Sequence, residues 1–111
     1  NTIKTKSMSL LTNTAKAETI QRQGERLLIA LGHNPERLYK FQHSRGITRE
    51  ESLIRGIMMY QLRRCCGYTM QVSGDMFEMD AASCAYWCKK IRDYESINDR
   101  VVMEYVEYIK P

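Results

Sequence analysis

The chain has 111 residues, of which 43% are hydrophobic and 27% charged, a balance typical of one globular domain. Its formal net charge of +4 permits a nucleic-acid partner without demanding one. There is no run of about 18 apolar residues, and the N-terminus lacks the apolar core of a signal peptide. We therefore expect a cytoplasmic protein with no membrane partner.

The four cysteines, Cys65, Cys66, Cys84 and Cys88, do not have the C-x-x-C spacing of zinc sites, and no histidine lies close to them in sequence. We interpret them as reduced, buried thiols that behave as small hydrophobic side chains in a cytosolic protein. A zinc site is the less favoured alternative. We expect no metal and no cofactor.

Strand-like alternation of β-branched residues is nearly absent, so the chain is predicted to be all-α, with about five or six helices packed as a compact domain. Residues 1–12 are polar and mixed, and we expect them to form a flexible N-terminal arm. The remainder, 13–111, is predicted to be a single helical domain.

The first helix is predicted from about Thr14 to Leu31, where apolar residues recur at helical spacing, and Gly32 is a plausible stop signal. Pro35 suits the first position of a helix. A short second helix is therefore predicted from there to about Phe41.

The longest helix is predicted to begin after Thr48, because Glu51 stands three residues later and completes the pattern of a capping box. Gly67 is expected to end this helix. Thr69 and Asp80 are expected to cap the two short helical segments that follow, since their side-chain oxygens can accept from exposed backbone N–H groups.

The helix after Asp80 has an apolar stripe at i, i+3, i+4 and i+7, formed by Cys84, Trp87, Cys88 and Ile91. This stripe is expected to face the core. A last helix is predicted over about residues 98–109, where apolar residues again recur at helical spacing.

Sequence signals of enzymes are missing. The chain contains neither a G-x-x-x-x-G-K-[ST] loop nor a G-x-G-x-x-G turn, and its two histidines lie on separate segments. We therefore expect no catalytic residues and do not expect an enzyme.

Basic residues are concentrated in two parts of the chain. Seven lie between positions 37 and 64, and a second cluster lies in the later part of the helix that Asp80 caps: Arg37, Lys40, Arg45, Arg49, Arg55, Arg63 and Arg64, then Lys89, Lys90 and Arg92. A solvated helix face is one reading of such clusters, and phosphate binding is the other.

The segment GYTMQVSGDMFEMDAASCAYWCKKI, residues 67–91, resembles the DNA-binding C-terminal domain of the bacterial replication initiator DnaA. The matching positions share the spacing of that family's helix-turn-helix signature, and they are Gly67–Met70, Gly74–Phe77, Asp80, Ser83 and Lys89–Ile91. Upstream, Arg55, Met59, Tyr60, Leu62 and Arg63 match the family's long helix. The resemblance implies a central helix-turn-helix that binds duplex DNA.

The chain departs from the family at the residues that read bases. Met79 replaces an arginine, Ala81 a histidine, Ala82 a serine or threonine, and Tyr86 a histidine. Contacts of that kind discriminate between bases by about 1–3 kcal/mol each, so we expect altered or relaxed specificity. The resemblance implies contacts to DNA by Arg45, Arg49, Arg55, Arg63, Thr69, Asp80, Ala81, Ala82, Ser83, Tyr86, Lys89 and Lys90.

Two functions remain open. The first is duplex-DNA binding in the initiation or regulation of replication, with affinity supplied mainly by phosphate contacts. The second is a DnaA-like fold used as a protein-interaction module, which the apolar start of the capped helix (Met79, Ala81, Ala82 and Ala85) favours.

Overall fold

The computed structural model describes the backbone of residues 2–40 and 46–111, and the side chains from residue 13 onward within those ranges. This part of the chain is all-α, compact and without strands, as predicted. Its six helices are α1 (Thr2–Ala30), α2 (Arg37–Lys40), α3 (Arg49–Cys66), α4 (Met70–Asp75), α5 (Ala81–Ser96) and α6 (Arg100–Tyr108).

Helix α3 lies at the centre of the fold and packs against each of the other five helices. It is therefore buried on nearly all sides, and its buried residues include polar ones. The Gln61 amide donates to the carbonyl oxygens of Val106 (2.9 Å) and Ile109 (2.8 Å), which lie at the end of α6. Buried helix ends need such partners, because their last carbonyl groups have none within the helix.

The caps predicted from sequence are confirmed. The Thr48 hydroxyl accepts from the Glu51 N–H (3.1 Å), and the Glu51 carboxylate accepts from the Thr48 N–H (3.0 Å), which completes the capping box. Gly67 ends α3 with φ of 68°, a left-handed conformation that glycine adopts without strain. Thr69 caps α4 and Asp80 caps α5.

Two predicted helix boundaries are wrong. Helix α1 begins at Thr2 rather than near Thr14, since its backbone hydrogen bonding continues through the polar stretch that we read as an arm. Helix α6 begins at Arg100 rather than near residue 98, because the Asp99 side chain accepts from the Val102 N–H and caps it there. The flexibility assigned to residues 1–12 stays a prediction.

Within the described residues, no helix is both long and apolar enough to span a bilayer.

Candidate nucleic-acid interface

Helices α4 and α5 are joined by a tight turn over residues 76–80. Gly74 accepts at its carbonyl oxygen from the N–H groups of Phe77 and Met79, both at 2.9 Å. A Cβ atom at position 74 would lie 2.5 Å from the Met79 carbonyl oxygen, so the turn closes only around glycine. Phe77 is fully buried and stacks on Tyr39 with ring centroids 5.5 Å apart. This turn determines where α5 begins.

The rotation of α5 about its axis is determined by its apolar stripe. Cys84, Cys88 and Ile91 are buried, and Trp87 is half-buried against the same core, which confirms the predicted inward face. Trp87 packs on Gly56 of α3, where an added Cβ would lie 2.5 Å from its ring. α3 and α5 therefore approach closely, and their first turns lie beside the same surface depression.

A groove of about 660 Å³ lies between the first turns of α3 and the N-terminal half of α5. Seven of the residues assigned to DNA from the sequence line it, namely Arg49, Arg55, Asp80, Ala82, Ser83, Tyr86 and Lys90. Their sequence positions are up to 41 apart (90 − 49), so the fold is what brings them together.

The electrostatics of the groove favour anions. Both α3 and α5 begin at it, and the N-terminus of a helix carries unpaired N–H groups and a partial positive charge. Arg49 is exposed in the first turn of α3. The Lys90 ammonium lies 4.9 Å from the Trp87 ring centroid and 5.5 Å from that of Tyr86. These contacts hold the cation beside the groove while leaving it half-exposed.

The Asp80 carboxylate is the acidic group in this lining. It accepts from the Ser83 N–H at 2.7 Å and so caps α5, which confirms the capping role expected from sequence. Ala82 and Tyr86 are exposed and Ser83 is half-exposed, so these three side chains form the outward face of α5 at the groove.

Arg55 requires a correction. It is only 2% exposed, and its guanidinium donates to the Leu38 carbonyl oxygen at 3.1 Å. Burial lowers the pKa of Arg55, and the charge of the buried Glu51 carboxylate works in the opposite direction. Although Arg55 lies at the floor of the groove, its guanidinium is committed to the interior, so the expected phosphate contact is wrong.

Arg63 also has a structural role. It is half-buried on the other side of α5, and its guanidinium donates to the Tyr68 carbonyl oxygen at 2.7 Å, just beyond the end of α3. Thr69 is exposed away from the groove and accepts from the Val72 N–H at 3.1 Å. Neither Arg63 nor Thr69 therefore lines the groove.

Two further assignments lie elsewhere. Ala81 and Lys89 do not line the groove, whereas Ala82 does. The reason is helical geometry, since Ala81 and Lys90 point about 180° apart around α5. Arg45 lies outside the described residues.

The apolar tip predicted at the start of α5 is largely absent. Met79 is only 8% exposed and belongs to the hydrophobic core, and Ala81 and Ala85 are half-buried. Sequence reasoning also missed Ser52 and Ile47 in the groove wall. Both residues are close in sequence to Thr48, the cap of α3. This proximity is the signal that could have placed them beside the start of the helix.

Among the described residues, no group of three histidine, cysteine or acidic side chains is arranged to hold a metal ion. Comparison of the chain with protein-family models, curated proteins and solved structures gives no match.

Proposed function

We propose that this chain is a duplex-DNA-binding domain related to the DnaA C-terminal domain, with altered or relaxed sequence specificity. It would act without catalysis, in the initiation or regulation of DNA replication in the bacterial cytoplasm. In this proposal α4 and α5 are the two helices of a helix-turn-helix, and the groove beside α5 receives a DNA strand.

The observation that carries the proposal is the meeting of Arg49, Ser83 and Lys90 in one groove with the N-termini of α3 and α5. Phosphate contacts in DNA complexes come from such cations, hydroxyl groups and helix N-termini. The outward face of α5 also explains why specificity would be relaxed. It carries Ala82, Ser83 and Tyr86, and none of these makes the bidentate base contacts of arginine, asparagine or glutamine.

The test is fluorescence anisotropy of labelled duplexes at two salt concentrations. With about three phosphate contacts, binding should weaken about 40-fold between roughly 50 and 200 mM salt. Two duplexes of unrelated sequence should bind within about tenfold of each other, because most of the affinity comes from phosphates. Absence of binding to either duplex at low salt would overturn the proposal.

Matched variants locate the binding surface. Lys90→Ala should weaken binding to both duplexes and reduce the salt slope by about 1, as expected for one lost phosphate contact. Arg100→Ala removes an equal charge from the first turn of α6, outside the groove lining. It should leave the slope unchanged. Equal slopes for the two variants would mean that DNA binds elsewhere on the chain.

Protein binding is the second candidate function, and the outer face of α6 now favours it more than the start of α5 does. Met103 (43%) and Tyr108 (44%) are exposed and line one surface depression there, while Val101 (49%) is exposed on another side of α6 and Ile97 (72%) in the link before it. Exposed apolar groups that lie together commonly mark partner surfaces. Analytical ultracentrifugation and pull-down with the wild type and with Met103→Glu would test this. A strictly monomeric wild type that captures no partner would count against it.

A further inference from the structure

A second cleft, of about 270 Å³, lies on the side of α5 away from the groove. Cys88 and Lys90 point about 200° apart around the helix, which places them on these two different sides. Cys88 is 7% exposed and contributes to the cleft lining together with Tyr60, Arg63, Arg64, Met70 and Arg92. A thiol thus lies in a solvent-connected cleft that three arginines surround.

The charges facing Cys88 come from α3 and α5. Arg63 is held in place by its bond to the Tyr68 carbonyl oxygen, and Arg92 is exposed one turn after Cys88. The acidic group nearby is Glu95, which accepts from the Tyr60 hydroxyl at 2.6 Å and lies 3.9 Å from the Arg64 guanidinium. Glu95 is engaged by Tyr60 and Arg64. The charges of Arg63 and Arg92 therefore make the electrostatic potential at Cys88 positive.

Cys84 lies one turn before Cys88 and is fully buried. Interaction with the Cys88 thiol and burial both raise the pKa of Cys84. Interaction with the Cys84 thiol lowers the pKa of Cys88, and the charges of Arg63 and Arg92 add to this against the effect of burial. The arginine-lined cleft therefore favours the thiolate form at Cys88 rather than at Cys84.

We propose that Cys88 is a modification site, a nucleophilic thiolate in the arginine-lined cleft that reacts with small electrophiles, hydrogen peroxide among them. Reactive cysteines occur in electropositive, partly accessible surroundings of this kind, whereas buried cysteines in apolar surroundings are inert. With peroxide, a sulfur lone pair attacks one oxygen, an S–O bond forms and the O–O bond breaks. The leaving hydroxide takes up a proton to give water, and Cys88 becomes a sulfenic acid.

Cys66 supplies an internal control in the same chain. It is 5% exposed, close to the exposure of Cys88, but burial raises its pKa, and the neighbouring Cys65 adds to this. If accessibility alone governed reactivity, Cys66 and Cys88 would react at similar rates. If the arginine-lined cleft governs it, Cys88 reacts first.

The experiment is timed alkylation of the folded wild-type protein with iodoacetamide, followed by peptide mass spectrometry across a range of pH. At pH 7, Cys88 should be modified at least about tenfold faster than Cys66, because the thiolate is the reacting form. The rate at Cys88 should also reach its plateau at lower pH than in the urea-unfolded protein. Equal rates for the two cysteines, or an unfolded-like pH profile for Cys88, would overturn the proposal.

Variants separate the charge effect from simple exposure. Arg92→Gln should slow alkylation of Cys88 at pH 7 by about twofold, the effect of raising a pKa of about 7 by roughly half a unit. Arg100→Gln, which removes a charge outside the cleft lining, should leave the rate unchanged. Brief exposure of the wild type to hydrogen peroxide, with a dimedone trap, should label Cys88 and spare Cys66. Labelling of both to the same extent would contradict the proposed oxidation.

Discussion

The groove and the cleft on the two sides of α5 are both lined by basic side chains, but the partners of these side chains differ. In the cleft, Arg63 and Arg64 are engaged by a backbone carbonyl, a tyrosine hydroxyl and a carboxylate of the protein itself. In the groove, Arg49 is exposed and Lys90 rests on two aromatic rings.

A cluster of cations in a sequence therefore does not reveal which of the charges are available to a ligand. Both Arg55 and Arg63 donate to carbonyl oxygens near helix ends, Leu38 in α2 and Tyr68 just after α3. Such carbonyl groups lack partners within their helix and need donors when they are buried. Arginines that satisfy them stabilise the fold and are lost to phosphate.

The largest effect is expected from removing the buried guanidinium. Arg55→Ala should lower the free energy of unfolding by about 3 kcal/mol, because it leaves a cavity, an unsatisfied carbonyl at Leu38 and a less balanced charge at Glu51. Urea unfolding followed by circular dichroism would measure it. Arg49→Ala is the matched control and should change stability by less than about 0.5 kcal/mol. Equal losses would mean that the division between structural and available arginines is wrong.

Substitution of Glu51 should give the next largest loss of stability, and the size of this loss should depend on pH. Burial alone would raise the pKa of this carboxyl, but hydrogen bonds from Arg37 (2.7 Å) and from Thr48 lower it. Its folded pKa therefore lies below the unfolded value, so its contribution is present above about pH 4.3 and is lost as the pH falls through the folded value.

Glu51→Gln should accordingly lower the free energy of unfolding at pH 7 by about 2 kcal/mol, the contribution of hydrogen bonds to a charged group. At pH 3 the difference from the wild type should be smaller, because the wild-type carboxyl is then closer to protonation. Urea titrations at the two pH values would show this. A loss that grows as the pH falls would contradict the assigned direction of the pKa shift.

The smallest effect on stability is expected at Asp80, in the groove itself. Asp80→Ala should lower the free energy of unfolding by about 1 kcal/mol through loss of the cap, whereas Asp80→Asn keeps a capping side chain and should be nearly neutral. The asparagine variant also removes a negative charge from the groove. Duplex DNA should therefore bind it about two- to fivefold more tightly at low salt. Weaker binding would indicate that the Asp80 carboxylate contacts a base.

Features governed by neighbours in the chain were predictable from sequence. The capping box at Thr48, the glycine stop at Gly67 and the caps at Thr69 and Asp80 each involve residues no more than five apart. The inward stripe of α5 was predictable for the same reason, since helical periodicity favours Trp87 over Tyr86 on the inner face.

The candidate site was only partly predictable, because burial of a single side chain depends on distant partners. Arg55 and Met79 each stand where a sequence pattern reads as outward-facing, yet both are buried. The Arg55 guanidinium donates to a carbonyl group of α2, and the Met79 side chain belongs to the hydrophobic core. Nothing within a few residues of either position signals those contacts. The sequence therefore could not show which arginines are exposed at the groove and which are engaged in the interior.

The packing of Trp87 on Gly56 also equips the protein with an optical probe. The chain contains one tryptophan, and it lies in the groove wall with the Lys90 ammonium over its ring. Indole emission depends on nearby charge and on exposure to water. Its wavelength would follow separation of α5 from α3, and its intensity would follow withdrawal of Lys90 toward a phosphate, so the unlabelled protein can report folding and docking as separate signals.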